Sequence, residues 1–253
     1  MVTIYTENEI ETLAEGGKIL SAVLWQVTKE VKPGVSTLEL DKLAEDLLRK
    51  DGAEPAFLGF AERGSRPYPA SLCTSVNEEL VHCIPSKNKI LQAGDIISLD
   101  LGACYKNLIT DMAITVPVGK ISSNVKKLLT VTEQCLAIAI AEAKEGSTTG
   151  DIGHAIETLA AEEKFAVIRD LVGHGVGHTV HEEPQVPNYG KKGAGVGLQA
   201  GMVIAIEPML SQGGATILAL HDGWGIAMAD SSICAHFEKT VAITEKGARI
   251  LTP

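Results

Sequence analysis

The sequence predicts an α+β fold made of two similar halves, in which helices cover the outer face of one sheet. Two observations lead to this fold class. A pair of capped, amphipathic helical segments followed by apolar strand-like runs occurs twice along the chain. Three short motifs also recur in the same order, which an internal duplication explains better than chance. Two such halves, residues 1–119 and 120–253, are expected to build a single domain with pseudo-twofold symmetry.

A helical hairpin opens the first half. Thr6 with Glu9, and Ser36 with Glu39, have the spacing of capping boxes, and apolar residues at helical spacing follow both. We expect the first helix to continue to Lys32-Pro33-Gly34 and the second to end near Gly52. Residues 53–72 read as irregular, and β-rich runs follow them. The expected strands are Cys73–Val76, Leu80–Ile84, Ile96–Leu101 and Leu108–Val118.

The second half repeats this order of elements. Residues 125–143 read as a helix, and Thr149 begins another. Aligning Ser36 with Thr148 superimposes the two helical hairpins. Leu91-Gln92-Ala93-Gly94 recurs as Leu198-Gln199-Ala200-Gly201, and Val81-His82-x-x-Pro85 recurs as Val180-His181-x-x-Pro184. The first of these matches aligns Asp100 with Glu207.

Composition excludes several classes of protein. The net charge of −10 comes without a lysine or arginine cluster, which argues against nucleic acid or an anionic membrane as the main partner. The chain lacks a basic leader and any apolar run of membrane-spanning length, so we expect a cytoplasmic protein. Its five cysteines have no Cys-x-x-Cys spacing, so neither a disulfide framework nor a thiolate zinc site is indicated.

A glycine-rich segment, residues 171–184, contains His174, His178 and His181 followed by two glutamates. Its glycines disfavour a helix, so these imidazoles should lie on extended or irregular backbone between apolar runs, where binding groups are often found. A solvated polar loop is the alternative. A zinc helix of the His-Glu-x-x-His type is absent, because Gln185 occupies the position of the second histidine. The glycine spacing also fails to match a dinucleotide-binding motif.

Four carboxylates lie in apolar strand-like runs without a basic neighbour suited to pair with them: Asp100, Asp111, Glu207 and Glu238. Burying such a group alone costs several kcal/mol, so each needs either a distant lysine or arginine or a metal ion. A hairpin should bring Asp100 and Asp111 roughly opposite each other, with Cβ atoms about 5 Å apart. Lys239 should point away from Glu238. Carboxylates with one imidazole favour a pair of Mn, Fe, Co or Zn ions, which predicts a two-metal hydrolase.

Seven polar residues in this order resemble those of the bacterial type I methionine aminopeptidases: His82, Asp100, Asp111, His174, His181, Glu207 and Glu238. The resemblance covers nearly the whole chain and is most specific in residues 68–85, 173–187 and 201–209. It implies the pita-bread fold, with a curved, mainly antiparallel sheet, and a single catalytic domain. It also implies removal of the initiator methionine from new polypeptides whose second residue is small.

The same resemblance implies roles for the metal ligands. Asp100 would chelate one of two divalent ions, Asp111 and Glu238 would bridge both, and His174 and Glu207 would complete the second. The identity of the native metal stays open among Co, Mn, Fe and Zn. A water between the ions, its pKa lowered toward ~7, would attack the scissile carbonyl.

Three residues would be catalytic by this resemblance. Glu207 would carry the proton from the attacking water to the leaving amine. His181 would donate a hydrogen bond to the carbonyl oxygen, and His82 would contact the backbone nitrogen of the substrate. The free amine of the substrate would bind a metal, which restricts cleavage to the first peptide bond.

The methionine pocket is implied by similarity and contains the largest departures from the family. Its residues would be Phe57, Phe60, Tyr68, Cys73, Val180 and Trp224, with ordinary core packing as the alternative for Phe57. Val180 replaces a larger aromatic residue, residues 61–67 resemble a small insertion, and residues 107–110 replace a Gly-Tyr-rich turn. His178 is expected to be solvated or to lie behind the ligands, and His154, His221 and His236 receive no role.

Three alternatives compete with this interpretation. Xaa-Pro aminopeptidases and prolidases share the ligand motifs but carry an extra N-terminal domain, whereas 81 residues precede His82 here. A metal-free binding module on the same scaffold would have lost ligands. Two independently folded halves would each hold an incomplete site. The expected partners are N-terminal methionyl peptides and nascent chains, with a transient ribosome contact, no nucleic acid cofactor, no membrane, and a monomeric state.

Overall fold

The structure is a computed structural model that describes residues 2–61 and 66–253. Residues 62–65, in the middle of the insertion expected at residues 61–67, therefore lie outside the described residues. None of the described helices is long and apolar enough to cross a lipid bilayer.

Four helices form as two hairpins, as the sequence predicts. They are α1 (Glu7–Lys29), α2 (Thr37–Lys50), α3 (Ser123–Glu142) and α4 (Thr149–Glu163). The capping boxes expected at Thr6 and Ser36 are both confirmed. A third capping box, Thr148 with Asp151, begins α4 at the position equivalent to Ser36. The first helix ends at Lys29, slightly earlier than expected, because the residue before Pro33 cannot readily continue an α-helix.

The described residues form fifteen β-strands. In the first half they are β1 (Glu54–Pro55), β2 (Leu72–Val76), β3 (Glu79–Val81), β4 (Ile96–Tyr105) and β5 (Leu108–Pro117). In the second half they are β6 (Ala166–Val167), β7 (Gly173–Gly175), β8 (Glu182–Val186), β9 (Val203–Ile206), β10 (Met209–Ser211), β11 (Ile217–Ala219), β12 (Ile226–Met228), β13 (Cys234–His236), β14 (Lys239–Thr244) and β15 (Gly247–Ile250).

The pairing among the described strands is antiparallel. In the first half, β4 pairs with β5 along one edge and with β1 and β2 along the other. The second half has a five-stranded sheet in the order β15-β14-β9-β7-β8. Two three-stranded sheets, β13-β10-β6 and β11-β12-β3, complete the arrangement. This α+β architecture agrees with the predicted fold class.

The two halves repeat contacts as well as elements. The Gly34 amide donates to the Leu91 carbonyl over 2.9 Å, and at the equivalent positions the Gly146 amide donates to the Leu198 carbonyl over 3.0 Å. Isolated bridges recur in the same way, Ser36 with Ile90 and Thr148 with Gly197. The sequence alignment of the halves therefore corresponds to equivalent backbone positions.

The halves are joined where β5 lies beside residues 236–240. The Glu238 amide donates to the Ala113 carbonyl over 2.9 Å, and the Asp111 amide donates to Thr240 Oγ1 over 2.9 Å. Thr115 Oγ1 donates to the His236 carbonyl over 2.7 Å. One acidic residue from each half is thereby brought to the same junction.

The helices cover one face of this junction. Ser21 of α1 contacts Met112 Sδ at 3.4 Å, and Lys239 Nζ lies 3.6 Å from the same sulfur. Since side chains alternate along a strand, Asp111 and Glu238 face the other way. This confirms that Lys239 is not the partner of Glu238.

The register of the hairpin between β4 and β5 differs from the predicted one. Asp111 pairs with Gly102, and Asp100 pairs with Ala113, so the two aspartates are diagonal neighbours and not directly opposite. The reason is a two-residue turn at Lys106 and Asn107, both with positive φ, which shifts the register by two residues. The shift is even, so both carboxylates stay on one face.

Candidate metal centre and substrate pocket

A cavity of about 720 Å³ contains the side chains on which the functional prediction depends. All of the predicted site residues line it: Phe57, Phe60, Tyr68, Cys73, His82, Asp100, Asp111, His174, Val180, His181, Glu207, Trp224 and Glu238. They come from both halves of the chain, from several strands and the loops that adjoin them. The four carboxylates and His174 therefore face one cavity.

Three of the predicted ligands lie close enough to share a metal ion. Ligand atoms of Asp111, His174 and Glu238 all fall within 4.8 Å of each other. His174 Nε2 is 3.5 Å from Glu207 Oε1, and Asp100 is a diagonal neighbour of Asp111 on the same face of the β4–β5 hairpin. This is the spacing of groups that hold a common cation.

The ring of His174 is oriented by the backbone. Its Nδ1 lies 2.9 Å from the Gly175 carbonyl, an acceptor, so Nδ1 carries the proton and Nε2 presents its lone pair toward Glu207. The residue stands on β7, whose flanking Gly173 and Gly175 allow close approach of β9 and β8. The glycines that disfavour a helix here thus also permit tight strand pairing.

Burial makes negative charge costly in this cluster. Burial raises the pKa of Asp100 to about 6, although the imidazole of His236 opposes the rise. Burial also raises the pKa of Asp111 and of Glu238 well above the usual range, and the neighbouring carboxylates add to the effect. Burial lowers the pKa of His174, which keeps the ring neutral as a ligand must be.

Two buried carboxylate oxygens of the cluster lack a partner in the part of the chain that the structure describes and could be satisfied by a cation. Among the described residues, Asp100 Oδ1 and Glu238 Oε1 have no hydrogen-bond partner. An unpaired buried carboxylate is strongly unfavourable, whereas a divalent cation would satisfy both oxygens and reverse the pKa shifts. The donor set of carboxylates and one imidazole fits Mn, Fe, Co or Zn.

His236, to which the sequence assigns no role, lies beside two of the predicted ligands. This histidine is 1% exposed, and its Nε2 lies 3.3 Å from Glu207 Oε2 and 3.9 Å from Glu238 Oε2. Burial alone would raise the pKa of Glu207, but the neighbouring imidazoles of His236 and His174 lower it. The sequence does contain a signal for this position. His236 lies two residues before Glu238, and residues two apart in an extended segment have their side chains on the same face.

Two further histidines, His82 and His181, line the cavity. His82 follows β3 with a φ of 58°, a left-handed conformation that is uncommon for a residue with a side chain and is often found at functional sites. The ring of His181 lies 4.6 Å from that of His174 and 5.4 Å from that of Phe60, edge to face in both cases. His178 lies outside the cavity and packs against Tyr5.

The apolar side of the cavity adjoins the acidic side directly. Cys73 on β2 pairs with Asp100 on β4, so one strand pair carries a pocket residue beside a predicted ligand. Tyr68 and Trp224 pack edge to face at 5.3 Å, and Val180 is 4% exposed against the same cluster. Phe57 lies over Gly102, where any side chain would collide with its ring. Phe57 therefore lines the cavity in addition to packing in the interior.

Comparison with known proteins agrees with this geometry. A family model described as metallopeptidase family M24 matches residues 11–245. Methionine aminopeptidase 1 of Bacillus subtilis is 46% identical over 252 residues, covering 100% of this chain and 99% of that protein. The crystal structure of a methionine aminopeptidase from Thermotoga maritima has a TM-score of 0.96 at 43% identity, covering 100% of this chain and 99% of that chain.

A more distant likeness bears on the alternative interpretation. The prolidase from Pyrococcus furiosus has a TM-score of 0.76 at 26% identity, and the match covers 99% of this chain but 65% of the prolidase chain. The shared part is the fold that carries the cavity.

Proposed function

This chain belongs to metallopeptidase family M24, and on that premise we propose that its cavity would hold two divalent ions and that the protein removes the N-terminal methionine from polypeptides with a small second residue. It is a methionyl aminopeptidase, as its full-length relatives are. The observation that carries the proposal is the group of four buried carboxylates and one neutral imidazole, two of whose oxygens lack a hydrogen-bond partner among the described residues.

The proposed ligands divide between two ions. Asp100 would hold one ion, His174 and Glu207 would hold the other, and Asp111 and Glu238 would be shared by both. Ligand atoms of Asp111, His174 and Glu238 lie within 4.8 Å of one another, which supports a common site. When bound, such ions lower the pKa of water to about 7 and polarise the carbonyl that is attacked.

Three side chains are proposed to transfer the proton and to bind the peptide group of the substrate. Glu207 has a lowered pKa and can therefore accept a proton from the attacking water and pass it to the leaving amine. His181 donates to the carbonyl oxygen as charge develops there, and His82 contacts the substrate backbone. We add His236 as a positioning residue, because its Nε2 lies 3.3 Å from Glu207 Oε2.

The substrate side chain occupies the apolar part of the cavity. Tyr68, Cys73, Val180 and Trp224, with Phe57 and Phe60, form a wall suited to an unbranched thioether. The pairing of Cys73 with Asp100 supports this assignment. A methionine side chain that contacts Cys73 would lie close to the proposed ligand Asp100, and its scissile bond would lie close to the metal site.

We propose that residues 1–253 act as one catalytic domain, since Asp100 and Asp111 come from the first repeat and the other ligands from the second. Nascent chains in the cytoplasm are the proposed natural substrates, met by a monomer in transient contact with the ribosome, where an initiator methionine first becomes accessible. The acidic charge supports a protein substrate over nucleic acid.

Peptide hydrolysis by chelator-treated and metal-reloaded protein tests the proposal. We expect release of methionine from Met-Gly-Met-Met, no cleavage of Gly-Pro, and activity that returns with Mn, Fe, Co or Zn. Asp111→Asn should abolish both tight metal binding and activity, whereas Glu162→Gln, on the exposed surface of α4, should change neither. Cleavage of Gly-Pro with Met-Gly-Met-Met left intact would instead identify a prolidase.

A further inference from the structure

We infer that the N-terminal segment, residues 3–5, positions His181 by binding the carboxylate of Glu182, so that a segment distant in sequence sets the catalytic geometry. This inference rests on the proposed role of His181. Thr3 and Tyr5 make the contacts, and neither lines the cavity. Both would therefore act as positioning residues without contacting the substrate.

The carboxylate of Glu182 collects hydrogen bonds from two parts of the chain. Thr3 Oγ1 donates to Oε2 over 2.9 Å, and the Tyr5 hydroxyl lies 3.1 Å from both oxygens. The backbone amides of His178 and Thr179 donate to Oε1 over 2.7 and 2.9 Å. Hydrogen bonds to an ionised acceptor are roughly twice as strong as neutral ones.

These bonds close the loop that carries His181. The amides of His178 and Thr179 lie at its beginning, and Glu182 follows His181 directly. Thr179 Oγ1 donates to the His181 carbonyl over 2.9 Å, which further restrains the backbone of the catalytic residue. The His178 amide also lies 3.0 Å from the Tyr5 hydroxyl. The loop backbone is therefore held from both sides.

The N-terminal segment is itself fixed to the second half. The Tyr5 amide donates to the Gly201 carbonyl over 2.8 Å, and the ring is 4% exposed in a cluster with Val176 and Val203. At Gly177, any side chain would collide with the Tyr5 hydroxyl. Burial raises the pKa of Tyr5, so its hydroxyl remains a protonated donor.

The consequence for catalysis follows from the position of His181. Its ring packs edge to face against His174 and Phe60, at 4.6 and 5.4 Å, between the predicted metal centre and the pocket. A displacement of about 1 Å of a positioned catalytic group can cost about 10²-fold in rate. Loss of the N-terminal contacts should therefore lower kcat through His181 and leave metal binding intact.

The test is a double-mutant cycle between Tyr5→Phe and His181→Ala, with metal-loaded protein and Met-Ala-Ser. Tyr5→Phe keeps the buried ring and removes the hydroxyl. We expect its kcat to fall between about 10-fold and 100-fold at unchanged KM and metal affinity. In the His181→Ala background the same substitution should have little further effect, since the residue through which it acts is gone. Tyr189→Phe is the matched control, because that hydroxyl makes no hydrogen bond to the described residues.

Amide hydrogen exchange provides a readout that does not depend on activity. In Tyr5→Phe, and also in Thr3→Val, the amides of residues 177–179 should exchange faster than in the wild type while those of α3 do not change. Failure of the wild type to cleave peptides would refute the proposed function and leave this exchange test valid. An unchanged kcat in Tyr5→Phe, or an equal loss in the His181→Ala background, would overturn the inference.

Discussion

Asp111 and Thr240 exchange two hydrogen bonds across the junction of the halves. The Asp111 amide donates to Thr240 Oγ1 over 2.9 Å, and Thr240 Oγ1 donates to the Asp111 carbonyl over 2.7 Å. Thr240 is fully buried. This one hydroxyl therefore links the fold to the predicted bridging ligand.

We expect Thr240→Val to destabilise the protein by about 1–3 kcal/mol, because it leaves the Asp111 amide and carbonyl buried without their partner. Metal affinity should fall as well, since Asp111 loses its backbone restraint. Urea denaturation and metal titration measure the two effects. Thr240→Ser, which keeps the hydroxyl, should restore most of both. Equal losses in the two variants would show that the methyl packing matters and the hydrogen bonds do not.

Contacts of this kind mark the limit of what the sequence could predict. The helix starts were predictable because Thr6, Ser36 and their glutamates act within four residues, and the ligands because a carboxylate in an apolar run needs a counter-charge. The pairing of Asp111 with Thr240 joins residues far apart in sequence, which no local pattern encodes. The predicted register of the β4–β5 hairpin was wrong for a local reason. Lys106 and Asn107 both adopt positive φ in the turn, and no glycine in the sequence indicates this conformation.

His236 provides a second prediction. Its Nε2 is 3.3 Å from Glu207 Oε2, so we expect it to hold Glu207 in the orientation needed for proton transfer. His236→Leu should lower kcat by about 10²-fold, within the usual range for lost acid–base catalysis, and weaken metal binding only modestly. His236→Gln, which retains a donor, should recover much of the rate. Loss of bound metal from His236→Leu in the same proportion as activity would make His236 a ligand instead.

The raised pKa of Asp100 predicts how stability depends on pH in the metal-free protein. Burial raises this pKa from 3.8 to about 6 in the folded state, so the folded protein favours the protonated acid. The contribution to stability is therefore fully present below about pH 4 and is lost as pH rises through 6. Thermal unfolding of chelator-treated protein from pH 4 to 7 should show this loss relative to Asp100→Asn, which cannot titrate.

Added metal should reverse that trend. Carboxylate ligands must be deprotonated to bind, so Mn should raise the midpoint of unfolding more at pH 7 than at pH 5. The increase should be small in Asp100→Asn. If wild type and Asp100→Asn showed parallel pH profiles without metal, Asp100 would not be the group that titrates.

His181→Ala separates oxyanion stabilisation from metal binding. We expect kcat to fall by about 10²–10³-fold, the usual cost of removing such a donor, while metal content stays at the wild-type level. His178→Ala is the matched control, because His178 is exposed and lies outside the cavity. Purification of His181→Ala without metal would contradict the assignment and make His181 a ligand.

Val180 predicts the selectivity of the pocket. It is 4% exposed within the cluster that contains Tyr68 and Cys73, and the resemblance noted in the sequence implies a larger aromatic residue at this position. A valine leaves more space beside the substrate side chain than an aromatic residue would. We therefore expect the wild type to accept leucine, norleucine and phenylalanine analogues of Met-Ala-Ser better than Val180→Phe does.

The size of the effect follows from the energetics of apolar pockets. One methylene is worth about 1–3 kcal/mol of discrimination, so closing this space should change the ratio of kcat/KM values between methionine and a bulkier residue by about 10-fold or more. Val180→Ile, a smaller increase in volume, should fall between wild type and Val180→Phe. Unchanged ratios in Val180→Phe would mean that Val180 does not contact the substrate, and that other pocket residues such as Tyr68, Cys73 and Trp224 determine selectivity.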